Sequence, residues 1–179
     1  MYSERLTYSL LVASDLQEFH ALNLIEEVDR YNTMGIPESI EVTKKLLEDK
    51  INDHQQKPIS KLTYALRLKE ENTFIGIAGI LFGQPKYQKA ELWMKFHPQF
   101  WNKGYATECI QKLIKECFET HDLHRLETGC AIENKASKRV LEKCGFVQEG
   151  IQRQNLPLKS GWSDNFEFGL LREEWKEKQ

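Results

Sequence analysis

The chain carries no GxxxxGK[ST] and no GxGxxG after a first strand, so it has neither the loop that cradles a nucleoside triphosphate nor the glycine fingerprint of a dinucleotide fold. A triphosphatase or a nicotinamide dehydrogenase therefore finds no support. Cysteine is scarce: Cys109, Cys117, Cys130 and Cys144 are the only four, and none is spaced as CxxC. They are expected to be reduced thiols used as small hydrophobes, with no metal. An excess of charge of one sign is missing too. Twenty-five Lys and Arg stand against 27 Asp and Glu, net −2, with no polybasic run, so direct nucleic-acid binding lacks its electrostatic footprint. No apolar stretch approaches the ~20 residues of a membrane span, and no leader pattern of basic flank, apolar centre and small-residue cleavage site opens the chain. No membrane partner and a cytoplasmic location are the expectations. A length of 179 residues suits one core and is short for two ordinary domains, so a single domain over 1–179 is expected. No internal repeat or low-complexity segment is present.

What the chain does have is a glycine turn opening straight onto an amphipathic helix: PQFWNKGYATE, residues 98–108. Ala106, Ile110, Leu113, Ile114, Cys117 and Phe118 form one apolar stripe at helical spacing. Upstream, Lys89 to Phe96 alternates as a strand, with Leu92, Met94 and Phe96 on one side and Glu91, Trp93 and Lys95 on the other. At such a strand-loop-helix junction the first helical N–H groups have no intrahelical partner, and the helix dipole adds about half a positive charge. Phosphates bind there readily. Gly104 permits positive φ and a close approach of ligand to backbone, Ala106 keeps the first turn uncrowded, and Lys103 adds a cation. Taken alone, the same stretch also reads as an ordinary turn with a glycine in it.

A second informative stretch runs from Leu123 to Arg153. It reads as strand, capped helix, strand. Asn134 is placed as an N-cap, and the helix from about Lys135 to Cys144 has Ala136, Val140, Leu141 and Cys144 as its inner stripe. Gly145 is the expected left-handed stop. Ser137 falls one turn in from the cap.

Elsewhere, Leu6 to Leu11 reads as a strand, followed by a helix capped by Ser14 with Gln17 three residues on. Glu26 to Ser39 reads as irregular, broken by Gly35 and Pro37. A helix is expected from about Ile40 to Asp53 on the stripe Ile40, Leu46, Leu47 and Ile51, then strands at Thr63 to Lys69 and Phe74 to Leu81. The charged tail Lys176 to Gln179 is expected to fray. Together these elements predict an α/β protein with a mixed, mostly antiparallel sheet and helices on both faces.

FWNKGYATE followed by ENKASKRVLEKCGFVQEG resembles the GNAT acyl-CoA N-acyltransferases, in particular their RimJ/RimL-like branch. ERLTYSLLVASDLQEF resembles the family's opening strand and helix, and SDNFEFGLLREEW its closing strand and tail. Two positions depart from the superfamily pattern: Trp101 stands where Gln or Arg is usual, a change familiar in the RimJ/RimL-like branch, and Asn102 stands where Gly is common. Asn tolerates left-handed backbone better than other non-glycine residues.

The resemblance implies the GNAT fold, a sheet of about seven strands splayed near its middle. It implies that acetyl-CoA lies in the splay, with its pyrophosphate on Trp101, Asn102, Lys103, Gly104, Tyr105, Ala106 and Thr107 and its pantetheine along the strand ending at Lys95 and Phe96. A main-chain N–H near Lys95 or Phe96 would then polarise the thioester carbonyl. Glu91 matches a position where several GNAT enzymes carry a catalytic glutamate; it reads equally as an exposed strand carboxylate, with a water chain as the base. Ser137 matches the serine that protonates the leaving thiolate, or else bonds its own helix turn. Asn134 caps the helix and is placed to touch pantetheine. Cys130 reads as a buried spectator.

For the acceptor, the RimJ/RimL-like resemblance implies a protein N-terminal amine, with polyamines and antibiotics as the small-amine alternative. Tyr31, Trp162, Asp164 and the acidic run Glu26, Glu27, Asp29 are candidates for its pocket. A non-catalytic acyl-CoA sensor and an unrelated α/β protein with accidental motifs are the readings of other classes. The resemblance also allows a homodimer.

Overall fold

The computed structural model describes residues 1–177. In chain order the elements are β1 (Leu6–Leu10), α1 (Leu16–Asn23), α2 (Glu26–Asp29), α3 (Ile40–Asp53), β2 (Lys61–Leu68), β3 (Phe74–Phe82), β4 (Lys89–Phe96), α4 (Tyr105–Lys115), β5 (Arg125–Ala131), α5 (Lys135–Lys143), β6 (Val147–Leu158), β7 (Gly161–Leu171) and α6 (Arg172–Lys176). The strands form one seven-stranded sheet in the order β1-β2-β3-β4-β5-β7-β6. Only the β4/β5 pair is parallel. This is the mixed, mostly antiparallel sheet expected from the sequence.

Two apolar layers sandwich the sheet. The α4 stripe buries Cys109, Ile110, Leu113 and Ile114, and a π turn continues it with Cys117 and Phe118. Against them lie Leu92 and Phe96 of β4 and Leu126 of β5. On the opposite face, Phe19 and Leu22 of α1 and Leu47 of α3 close over Ala65 and Ile77. The alternation of β4 divides its side chains between the two layers: Leu92 and Phe96 join the first cluster, and Trp93 packs on the second.

Local chemistry explains most boundaries. Ser39 caps α3, its hydroxyl accepting the Val42 amide at 3.4 Å. Gly145, at φ +93, ends α5. Ser14, in contrast, does not cap α1. The Asp15 carboxylate instead accepts the Val12 amide at 2.9 Å, and a 3-10 turn from Ala13 to Asp15 precedes α1. Arg67 pairs with both Asp15 and Glu18, which decided the competition in favour of the residue with a distant cation. Within the stretch read as irregular, residues 26–29 form the short helix α2. Of the tail, Lys176 ends α6, and Lys178 and Gln179 lie outside the described residues. All four cysteines are free and buried. No helix among the described residues is long and apolar enough to cross a membrane.

Candidate active site

The sheet opens between β4 and β5. The two strands pair only from Lys89↔Arg125 to Glu91↔Glu127 and then diverge. At the throat the Thr128 hydroxyl donates to the Leu92 carbonyl at 2.9 Å. Towards β3, the bonds Gly83 N to Lys89 O and His97 N to Ile75 O show that odd-numbered backbone groups of β4 face that neighbour. By alternation the amides of Met94 and Phe96 face the opening, while that of Lys95 turns to β3.

At the end of β4 the loop 101–104 turns twice through left-handed backbone, at Asn102 (φ +59) and Gly104 (φ +83). Gly104 occupies the N-cap of α4 with no side chain capping the turn, and the helical ladder starts only at Glu108 N to Gly104 O, 3.1 Å. The amides of residues 102–107 thus have no backbone acceptor among the described residues. Six consecutive donors on an eleven-residue helix end make a concave, positively polarised surface. The Trp101 indole ties the loop to β4, donating to the Phe96 carbonyl at 2.8 Å. Lys103 is not brought into the cleft. Its ammonium lies 5.5 Å from the Phe100 ring centroid.

Sequence reasoning missed what holds this loop from behind. The Glu108 carboxylate accepts the Ser3 hydroxyl, the Arg5 amide and Arg5 Nε, each at 2.7 Å. Burial works against its charge, but these bonds prevail and hold its pKa below the ordinary carboxylate value. Nothing within the first six residues advertises a partner more than a hundred positions away.

Across the opening, Asn134 caps α5 as expected, its Oδ1 accepting the Ser137 amide at 3.1 Å. Burial raises the pKa of the Cys130 thiol, and the nearby Ser137 hydroxyl works against that rise. Ala136, read as part of the inner stripe, is exposed and lines the cleft instead. Ala136 stands two positions after the cap residue Asn134, whereas Leu141, further along α5, is buried. Cys144 Sγ lies 3.7 Å from the Thr107 carbonyl, docking α5 on the first turn of α4.

The cleft holds about 1350 Å³ and runs through the split to the other face of the sheet, so that Asn102, Gly104, Tyr105, Ala106, Thr107, Asn134 and Ser137 share it with Glu91 and Lys95. On that far face Glu91 is exposed beside Glu127. Desolvation in the cleft, and then the Glu127 charge, raise its pKa. Glu127 is also penalised by burial, yet bonds from Lys89 (2.8 Å) and Arg125 (3.0 Å) keep its pKa low. Lys95 donates to Asn23 Oδ1 at 2.7 Å, and burial pulls its pKa down to about 8 despite the nearby Asp29. Among the described residues no group of three or more His, Cys, Asp or Glu is arranged to hold a metal.

The candidates for an acceptor pocket disperse. Tyr31 reaches across to the Glu133 carbonyl at 3.2 Å, and Glu27 lines the cleft. Asp29 is buried and accepts from Asn32. Asp164 accepts the Gln154 amide at 2.8 Å, Trp162 is 67% exposed on the β6–β7 hairpin, and Glu26 meets Lys159 at the surface.

A family model described as an acetyltransferase (GNAT) domain matches residues 5–147. The uncharacterized N-acetyltransferase YnaD of Bacillus subtilis (strain 168) is 34% identical over 110 residues, 60% of this chain and 63% of the relative. The putative ribosomal N-acetyltransferase YdaF of the same organism is 34% identical over 89 residues, 50% of this chain and 49% of the relative. Each alignment thus spans less than two thirds of the relative's length. The crystal structure of spermidine N-acetyltransferase from Vibrio cholerae in complex with CoA and spermine superposes with a TM-score of 0.85 at 22% identity, covering 96% of this chain and 98% of that one. That likeness is one of fold.

Proposed function

The chain belongs to the GNAT family of acetyltransferases, and on that premise we propose that it moves the acetyl group of acetyl-CoA directly onto a primary amine within a ternary complex. The observation that carries this reading is the row of six amides at 102–107 with no backbone acceptor among the described residues, set at the mouth of the opening between β4 and β5. The pyrophosphate of acetyl-CoA takes those donors, and the pantetheine enters between β4 and β5, past Asn134 and Trp101. The thioester carbonyl meets the Met94 or Phe96 amide, which stabilises the oxyanion as the amine nitrogen attacks the carbonyl carbon. As the tetrahedral adduct collapses the C–S bond breaks, and the thiolate takes its proton from Ser137. The proton lost by the amine goes to Glu91, directly or through water.

For the acceptor we propose a protein N-terminal amine. Its ammonium pKa, about 7.7 to 8.0, leaves a useful neutral fraction at physiological pH, whereas a lysine-type amine near 10.4 does not. The RimJ/RimL-like motifs and the putative ribosomal relative support this choice. A small polyamine is the second reading, favoured by Glu91, which lines the cleft and forms no ion pair among the described residues, and by the fold shared with an enzyme solved with spermine.

Release of free CoA thiol from acetyl-CoA tests both. Faster release with peptides bearing free α-amines than with the same peptides N-terminally blocked, and faster than with spermidine, supports the N-terminal acceptor. The reverse order assigns the small amine. No release with any amine would overturn direct transfer.

A further inference from the structure

The best-organised side chain around the loop is one that lies outside the cleft. Arg5 immediately precedes β1, and its guanidinium contacts Lys103, Tyr105 and Glu108 and lies close to Gly104. Nη1 donates to the Lys103 carbonyl at 3.0 Å, and Nε to Glu108 at 2.7 Å. Its Cζ lies 4.4 Å from the Tyr105 ring centroid, and Nη2 sits 3.3 Å from where a Cβ on residue 104 would stand. Its own amide also donates to Glu108, and its carbonyl accepts from Lys69 at the end of β2. The side chain is therefore anchored to the sheet at one end and to the loop at the other.

The Lys103 carbonyl and the Gly104 N–H belong to one planar trans peptide and point in opposite directions. Gly104, at φ +83, takes either sign of φ at little cost, so its own backbone does not hold that plane in one orientation. We propose that Arg5 is a positioning residue of the acetyl-CoA site: by holding the Lys103 carbonyl outside, it aims the Gly104 N–H inward at the phosphate position. The inference rests on the pyrophosphate being bound at 102–107. Arg5 touches no substrate. It sets one donor of the row and keeps α4 in register with the first strand.

The test compares wild type with Arg5→Met, which keeps the stem and removes the donors, and Arg5→Lys, which keeps the charge but has a single nitrogen for two acceptors. Acetyl-CoA KM should rise roughly tenfold in Arg5→Met, the scale of one lost bond to a charged group, and less in Arg5→Lys, with kcat at saturation unchanged. The Gly104 amide resonance should shift on CoA binding in wild type and much less in Arg5→Met. Unchanged KM in both variants, or kcat falling in step with stability at constant KM, would overturn the role of Arg5. If the amides of 102–107 do not respond to CoA in wild type, the site reading itself fails. Should Arg5→Met not fold, Arg5→Lys decides, since an unaltered KM and an unaltered Gly104 response there sink the proposal.

Discussion

The Asn134 carboxamide accepts the Ser137 amide at 3.1 Å, so the residue that caps α5 also sets the position of the hydroxyl proposed to protonate the thiolate. A capping bond of this kind is worth about 1 kcal/mol. Asn134→Ala should lose roughly that much by thermal or urea unfolding and should lower kcat as well, whereas Asn134→Asp keeps the cap and most of the stability. Ser137→Ala leaves the cap intact, and its kcat should fall by about 10², the lower end of the usual range for a general acid, because the thiolate is already a fair leaving group. Its acetyl-CoA KM should stay within about twofold of wild type.

Glu91 has a raised pKa, first because the cleft desolvates it and second because Glu127 repels its charge. The proposed base acts only when ionised, so kcat/KM should fall with decreasing pH through a pKa above the ordinary glutamate value of about 4.3. Glu91→Gln should abolish that limb, and Glu127→Gln should move it to lower pH. The stability effect has the opposite sense to that of a salt-bridged carboxylate. A folded-state pKa raised above the unfolded one stabilises the protein only below the unfolded value, and that contribution is lost as pH rises through the folded value. Glu91→Gln should therefore raise Tm at pH 7, and the gain should fade towards pH 4.

Gly104 stands at φ +83, with Arg5 Nη2 3.3 Å from where a Cβ would stand. Gly104→Ala should cost about 1 to 2 kcal/mol from the left-handed backbone alone. Acetyl-CoA KM should rise in the same variant, because relieving the strain turns away a donor of the loop. Asn102→Gly, at φ +59, relaxes the backbone and should leave KM within about twofold. Steady-state kinetics at varied acetyl-CoA separate the two cases.

Lys95 is a buried ammonium held on Asn23, its pKa pulled down to about 8 by desolvation. The unfolded chain keeps that proton up to about 10.4, so between these values the unfolded state binds more protons and stability rises with pH. Below pH 8 the charged form is buried at full cost. Subtracting the unfolding free energy of Lys95→Met from that of wild type isolates this contribution from the cysteines, whose thiols ionise in the same range once the chain unfolds. The difference should increase in favour of wild type from pH 8 to pH 10 and be flat from pH 6 to pH 7.

The local pieces of the site were legible because each depends on neighbours within a turn. The α4 stripe, the Asn134 cap, the Gly145 stop and the left-handed glycine at 104 all follow from residues three or four positions apart. Where two local signals competed, reading failed. Ser14 with Gln17 made as good a capping pattern as the Val12–Asp15 turn, and only Arg67, reaching Asp15 from β2, separates them. Ala136 fitted the apolar spacing of α5 yet faces the cleft, since periodicity does not say which part of a helix overhangs an opening.

The sequence by itself determined the class of fold, the strand-loop-helix junction and the family motifs, because periodicity, caps and turns are written in short windows. The tertiary structure alone decided that β4 and β5 part after Glu91↔Glu127, that Arg5 backs the loop at Lys103 from 98 positions away, and that Lys95 loses its solvent against Asn23. Pairing register, hydrogen-bond partners and desolvation are set by segments brought together only when the sheet closes, and no local pattern carries them.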